Sequence, residues 1–144
     1  MSGAQRLYTP QLLALAVELA GVPPLDSATR RGEARSPTCG STLAMDLVTD
    51  AAGGIERIGL RVRACAVGQA AAAIFARHAA GRSQADIVRA RDELAAWLSG
   101  QGPMPDWPDL AIVAPAREYP ARHGAMLLPW KAAAAALSSV PARG

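Results

Sequence analysis

The sequence predicts an α+β fold, a small antiparallel sheet packed on one face by helices, and three observations carry that prediction. From Thr42 to Thr49, Leu43, Met45 and Leu47 alternate with Thr42, Ala44 and Asp46, the period-2 pattern of a half-buried strand. From Ile55 to Ala64, Ile58, Leu60 and Val62 take one face and Arg57, Arg61 and Arg63 the other, and Asp50-Ala51-Ala52-Gly53-Gly54 between the two runs is turn chemistry. Helical patterns bracketed by capping residues flank this hairpin on both sides.

Taken in order, Thr9-Pro10 reads as an N-cap followed by proline at the first helical position. Gln11 to Ala20 then carries Leu12, Leu13, Ala16, Val17 and Leu19 at helical spacing, ended by Gly21 and Pro23-Pro24. Leu25 to Thr38 is rich in turn formers and charge and reads as a loop leading into Cys39. After the hairpin, Gly68 to Ala80 is an Ala-rich helix stopped by Gly81. Ser83, with Asp86 three residues on, opens another helix to about Leu98, with Ile87, Leu94, Trp97 and Leu98 inward and Arg89, Asp92 and Glu93 outward. Gly100 to Pro108 is a loop, and Leu110 to Val113 is too short to assign. Pro129 is expected to open a last helix through Leu137. Asp50 is expected to serve the turn, Asp46 to face solvent, and His78 to be a solvated or helix-end residue without a role.

With 144 residues and no break in composition, one domain over 1–144 is expected, with its core in 8–137. Many of the apolar residues are alanine, so the core must come from few Leu, Ile, Val and aromatic side chains. The formal charge of +3 is modest and the arginines are scattered. Arg30, Arg31 and Arg35 make the nearest approach to a cluster, and Glu33 interrupts it, so a nucleic-acid partner is not expected. Lys131 is the one lysine among 15 basic residues, an arginine bias that fits a GC-rich bacterial genome. No apolar run is long enough to span a membrane, and Met1 to Tyr8 lacks the pattern of a signal peptide. The expected location is therefore the cytoplasm, where thiols stay reduced.

Cys39 and Cys65 are the only two cysteines, too few for a disulfide framework. Each stands just outside a far end of the predicted hairpin, so antiparallel pairing should bring them to one end of the sheet. In Ser36-Pro37-Thr38-Cys39-Gly40, Pro37 stiffens the approach and Gly40 allows a tight turn beside the thiol. Cys65, in Ala64-Cys65-Ala66-Val67-Gly68, stands among small residues just before a helix. A helix N-terminus favours the anionic form of a nearby thiol, and thiolate is the form that binds metal or accepts sulfur. Two buried packing cysteines are the plainer alternative. A nucleophile–base pair of Cys65 and His123 lacks a third orienting residue, and no phosphate-binding or dinucleotide motif occurs, so the chain is not expected to be an enzyme.

Pro37-Thr38-Cys39-Gly40, then Cys65 at a separation of 65 − 39 = 26 residues, then Tyr119-Pro120-Ala121-Arg122 and Leu128-Pro129-Trp130-Lys131-Ala132, together resemble the U-type iron–sulfur cluster assembly scaffolds: IscU, SufU and the NifU N-terminal domain. The likeness runs from about Tyr8 to Leu137. It implies a third, short N-terminal strand within Asp26 to Ala34. It also implies scaffold or sulfur-acceptor work, with a cysteine desulfurase as donor and apo-proteins as acceptors. Cys39 and Cys65 inherit the roles of sulfur acceptor and cluster or metal ligand.

The departures matter equally. The family's Asp after Cys-Gly is Ser41 here, and its third cysteine falls on Ala125, or on Gly124 in an alternative register. His123, one or two residues away, is the added candidate for a third metal donor. The cargo is accordingly an iron–sulfur cluster or zinc, or none, because the ligand set is incomplete. Two further readings are a degenerate paralogue that binds partners without holding a cluster, and an unrelated α+β domain with two core cysteines.

Overall fold

The computed structural model describes residues 7–37 and 40–139. Thr9 caps the first helix, α1 (Pro10–Glu18), its hydroxyl accepting from the Leu12 amide at 3.2 Å, and a 3₁₀ turn (Leu19–Gly21) follows. The buried face of α1 is carried by Leu12 and Leu15, whereas Leu13 and Val17 are 45% and 75% exposed. Of the expected apolar stripe, Leu12, Ala16 and Leu19 face inward and Leu13 and Val17 do not, because in an Ala/Leu-rich helix several stripes compete and only packing selects one.

Residues expected to form a loop instead form strand β1 (Arg30–Arg35), close to the strand that the family likeness implied. β1, β2 (Thr42–Thr49) and β3 (Ile55–Arg63) make an antiparallel sheet in the order β1-β2-β3. The β2–β3 turn is held by Asp50, whose Oδ1 accepts from the amides of Ala52 and Gly54, both at 2.9 Å. Opposite pairs Leu43↔Val62, Met45↔Leu60 and Leu47↔Ile58 put the predicted alternation on one face, against the helices.

α2 (Ala66–His78), α3 (Gln84–Leu98) and α4 (Pro120–Ser138) build the covering layer, with a 3₁₀ segment (Leu110–Glu118) leading into α4. α4 lies on β1 and β2, α2 packs between α1 and α4, and α3 packs on α4. In α3, Ser83 and Asp86 form the expected capping box, and Ile87, Leu94, Trp97 and Leu98 are buried. α4 opens at Pro120, not at Pro129, which lies inside the helix. Both prolines satisfy the start signal, but α4 is buried on nearly every side. Its packing outweighs the loss of the amide that Pro129 cannot offer to the Ala125 carbonyl.

Gly32 fixes how closely α4 approaches. A Cβ there would stand 2.4 Å from both the Ala132 carbonyl oxygen and the Ala136 nitrogen, so the alanine run Ala132–Ala136 is the surface that β1 packs against. The Arg30 guanidinium donates to the Ser139 carbonyl just past the end of α4. In the middle of the helical layer Phe75 stacks on Trp107 (5.3 Å between centroids), and both meet Trp130 edge-on.

Asp46 departs from expectation. It lies on the outer face of the sheet yet is only 4% exposed, because the segment around Pro23–Leu25 crosses over it. The Leu25 amide donates to Oδ2 at 3.0 Å, and Arg31 Nε to Oδ1 at 3.3 Å. Gly59, opposite Asp46, makes the crossing possible: a Cβ there would meet the Leu25 nitrogen at 2.6 Å.

Candidate functional site

The register Arg35↔Thr42↔Arg63 defines one end of the sheet. The β1–β2 connection and the β3–α2 junction both leave from this end, so the segments flanking position 39 and Cys65 itself share it. Cys39 lies outside the described residues. Around it, the Ser36 amide donates to the Ser41 carbonyl at 2.8 Å, and the Gly40 amide to the Ser36 carbonyl at 2.9 Å. Gly40 has φ +70°, the left-handed conformation the tight turn needs, and among the described residues no heavy atom beyond its chain neighbours comes within 4 Å of where a Cβ would be. Ser36 and Ser41 are both buried.

Cys65 is the N-cap residue of α2, extended at φ −65° and ψ 171°. Its side chain makes no capping hydrogen bond, and its carbonyl accepts from the Gln69 amide at 3.0 Å. The Gln69 side chain reaches back to the Ala64 carbonyl at 2.9 Å and fixes the strand-to-helix corner. The thiol is half-buried against the edge of the core, between a packing residue and an open nucleophile.

α4 closes the other side. A Cβ on Gly68 would stand 2.6 Å from the Ala64 Cβ and 3.2 Å from the Ala125 Cβ. Ala125, where one register places the family's third cysteine, therefore lies buried against the first turn of α2, three residues beyond Cys65. His123 is in the first turn of α4, half-exposed, with Nε2 2.6 Å from the Arg117 carbonyl oxygen. A carbonyl can only accept, so Nε2 carries the proton and Nδ1 keeps the one lone pair available to a metal. Among the described residues no group of three or more His, Cys, Asp or Glu side chains could hold a metal ion.

His78, expected to have no role, takes part in a structural network. Its Nε2 is 2.8 Å from Asp109 Oδ2, and Arg77 bridges Asp109 and Glu18, tying α1 and α2 to the residue before the 3₁₀ segment. The His78 hydrogen bond, then Arg77, hold the Asp109 carboxyl below the ordinary aspartate range. The sequence already places Arg61 and Arg63 on one face of β3. The β1 register adds Arg35 to that face, beside Arg63 across Thr42. Among the described residues no helix is long and apolar enough to cross a membrane.

A three-strand antiparallel sheet covered on one face by helices, with Cys65 at the β3–α2 corner, is a fold the chain shares with NifU-like and SufU proteins, and it supports the likeness to the U-type scaffolds. Among solved structures it is similar to the N-terminal part of a nitrogen-fixing NifU-like protein from Brucella abortus, with TM-score 0.85 and 29% identity over 94% of this chain and 95% of that one. It is also similar to a protein from Fervidobacterium islandicum AW-1 described as an iron–sulfur cluster assembly scaffold for the SUF system. That match has TM-score 0.78 and 18% identity over 92% and 97% of the two chains, a likeness of fold alone. No family model and no curated protein matches the chain. This likeness counts against the reading as an unrelated α+β domain.

Proposed function

We propose that this chain serves iron–sulfur cluster assembly as a scaffold-like carrier or sulfur acceptor with a reduced ligand set. The observation that carries the reading is the shared sheet end. On a fold like that of the NifU-like domain, the connection bearing Cys39 and the corner bearing Cys65 leave from the same row of residues. Small residues at Ala64, Gly68 and Ala125 surround the corner.

The chemistry that two thiols can perform is sulfur acceptance. A thiolate of Cys65 or Cys39 attacks the outer sulfur of a donor persulfide, R–S–SH. A new S–S bond forms on the chain as the donor's S–S bond breaks, and the donor leaves as a thiolate. No net oxidation or reduction is required. A cysteine desulfurase is the donor and apo-proteins are the recipients in this reading. A cluster or zinc held here as cargo would draw on Cys39, Cys65 and His123 through Nδ1, and the fourth position would fall to water, a partner or a second chain. The chain itself is not an enzyme in this account.

The second reading, a partner-binding paralogue that holds no cluster, draws on Ser41 and Ala125 standing where the family has ligands. Mass spectrometry under non-reducing conditions, after incubation of the reduced chain with a persulfide-loaded desulfurase, separates the two. The scaffold reading expects an added sulfur atom on Cys65 or Cys39, lost when both are replaced by serine. An unmodified chain that still binds the desulfurase would favour the paralogue.

A further inference from the structure

We propose that the outer face of the sheet, at the end shared by the thiol-bearing connections, is a docking groove for an acidic segment of a partner protein. Residues paired across a sheet point to the same side. The rows Arg35↔Thr42↔Arg63 and Glu33↔Ala44↔Arg61 therefore place two small side chains on the middle strand as a floor, with charged side chains as walls on β1 and β3. The walls stand about 10 Å apart, two strand spacings. The groove they enclose measures about 420 Å³.

Arg35, Arg61 and Arg63 are exposed, and among the described residues none of them forms an ion pair. Arg31, Arg77, Arg89 and Arg91 each do. Three arginines less Glu33 leave the groove at 3 − 1 = +2. The planar guanidinium fork matches a carboxylate in a bidentate pair. Arg61 and Arg63 are two residues apart on one strand, about 7 Å along it, which is also the repeat of alternate side chains in an extended acidic peptide. Glu33 sets the register by favouring a basic or neutral residue at one point of that peptide.

Nucleic acid fits less well, because a single strand on a sheet needs aromatic side chains to stack on, and none lines this groove. Charge on edge strands also deters sheet-to-sheet association, but that role requires nothing of the small floor residues Thr42 and Ala44. The inference goes beyond the sulfur-carrier reading and stands on the arginines whatever the thiols carry. A partner held here would lie beside the sheet end from which Cys65 follows.

The test is anisotropy of a fluorescein-labelled octaglutamate peptide titrated with the full chain, with amide chemical shifts recorded in parallel. The Arg61→Gln/Arg63→Gln double variant should weaken binding by about tenfold, and the charge-matched Arg89→Gln/Arg91→Gln control by less than about twofold. Shifts should concentrate in residues 33–35, 42–44 and 61–63, and Cys65→Ser should bind the peptide as the unaltered chain does. Should the double variant not fold, Arg35→Gln provides the same reading with a smaller loss. Equal weakening by both pairs, absence of peptide binding, or tighter binding of an oligothymidylate at the same residues would each overturn the proposal. So would a double variant that self-associates while keeping its peptide affinity.

Discussion

At the scale of single residues, the site is defined as much by what is missing as by what is present. Ala125 stands, in one of two registers, where the family likeness places its third cysteine, and its Cβ lies 3.2 Å from where a Cβ on Gly68 would be. Ala125→Cys should therefore strengthen retention of Zn²⁺ against a chelator by at least about tenfold, and Cys65→Ser in that background should remove the gain. Unchanged retention would show that position 125 does not face the thiol. Gly32 is decided by contact in the same way. Gly32→Ala drives a Cβ into the backbone of α4 and should cost about 1–3 kcal/mol in chemical denaturation. Gly21→Ala, with nothing within 4 Å, is the control and should be near neutral. A neutral Gly32→Ala would mean that α4 does not lean on β1.

At the scale of elements, α3 carries a pH dependence. Hydrogen bonds from the Ser83 amide and hydroxyl hold the Asp86 carboxyl below its ordinary value, with Arg89 and Arg82 assisting. A carboxyl lowered by folding stabilises the fold above its unfolded value of about 3.9 and loses that contribution as pH falls through the folded value. Glu18, lowered by the Arg77 hydrogen bond, and Asp109, lowered by His78, act with the same sign. Asp86→Asn should thus be less stable than the parent at neutral pH, and the gap should narrow as thermal melts are taken below pH 4. A gap independent of pH would leave only the hydrogen-bond geometry to account for it.

The same scale shows what could be read from the sequence. β2, β3, their turn and α3 each announce themselves through period-2 or capped 3.6-residue patterns. β1 does not, because its inward residues are Arg30, Gly32 and Ala34, chosen for close approach and not for hydrophobicity. The start of α4 was misplaced because two prolines offered the same signal, and burial of the whole helix, not local chemistry, decides between them. Asp46 was misplaced because alternation tells which face a residue takes, not whether a loop covers that face. The position of Cys65 at a helix start was legible from its small neighbours. The engagement of His123 with Arg117 was not, since it depends on a 3₁₀ turn with no sequence signature.

At the scale of the whole molecule, one helical layer supports one sheet, and the working end is where two connections leave that sheet together. The helices bury the aromatic cluster on one face of the sheet, and on the other the end not crossed by Pro23–Leu25 carries Arg35, Arg61 and Arg63, where the proposed partner contact falls. The central proposal is that this chain works as a U-type scaffold does, with a weakened ligand set. Its most direct test is anaerobic reconstitution with iron and sulfide, or loading with Zn²⁺, of this chain beside a U-type scaffold that has all its ligands, followed by chelator competition under identical conditions. The account predicts that this chain releases its cargo at lower chelator concentration, and that Cys39→Ser or Cys65→Ser abolishes what retention there is. Retention equal to that of the full-ligand scaffold would contradict it.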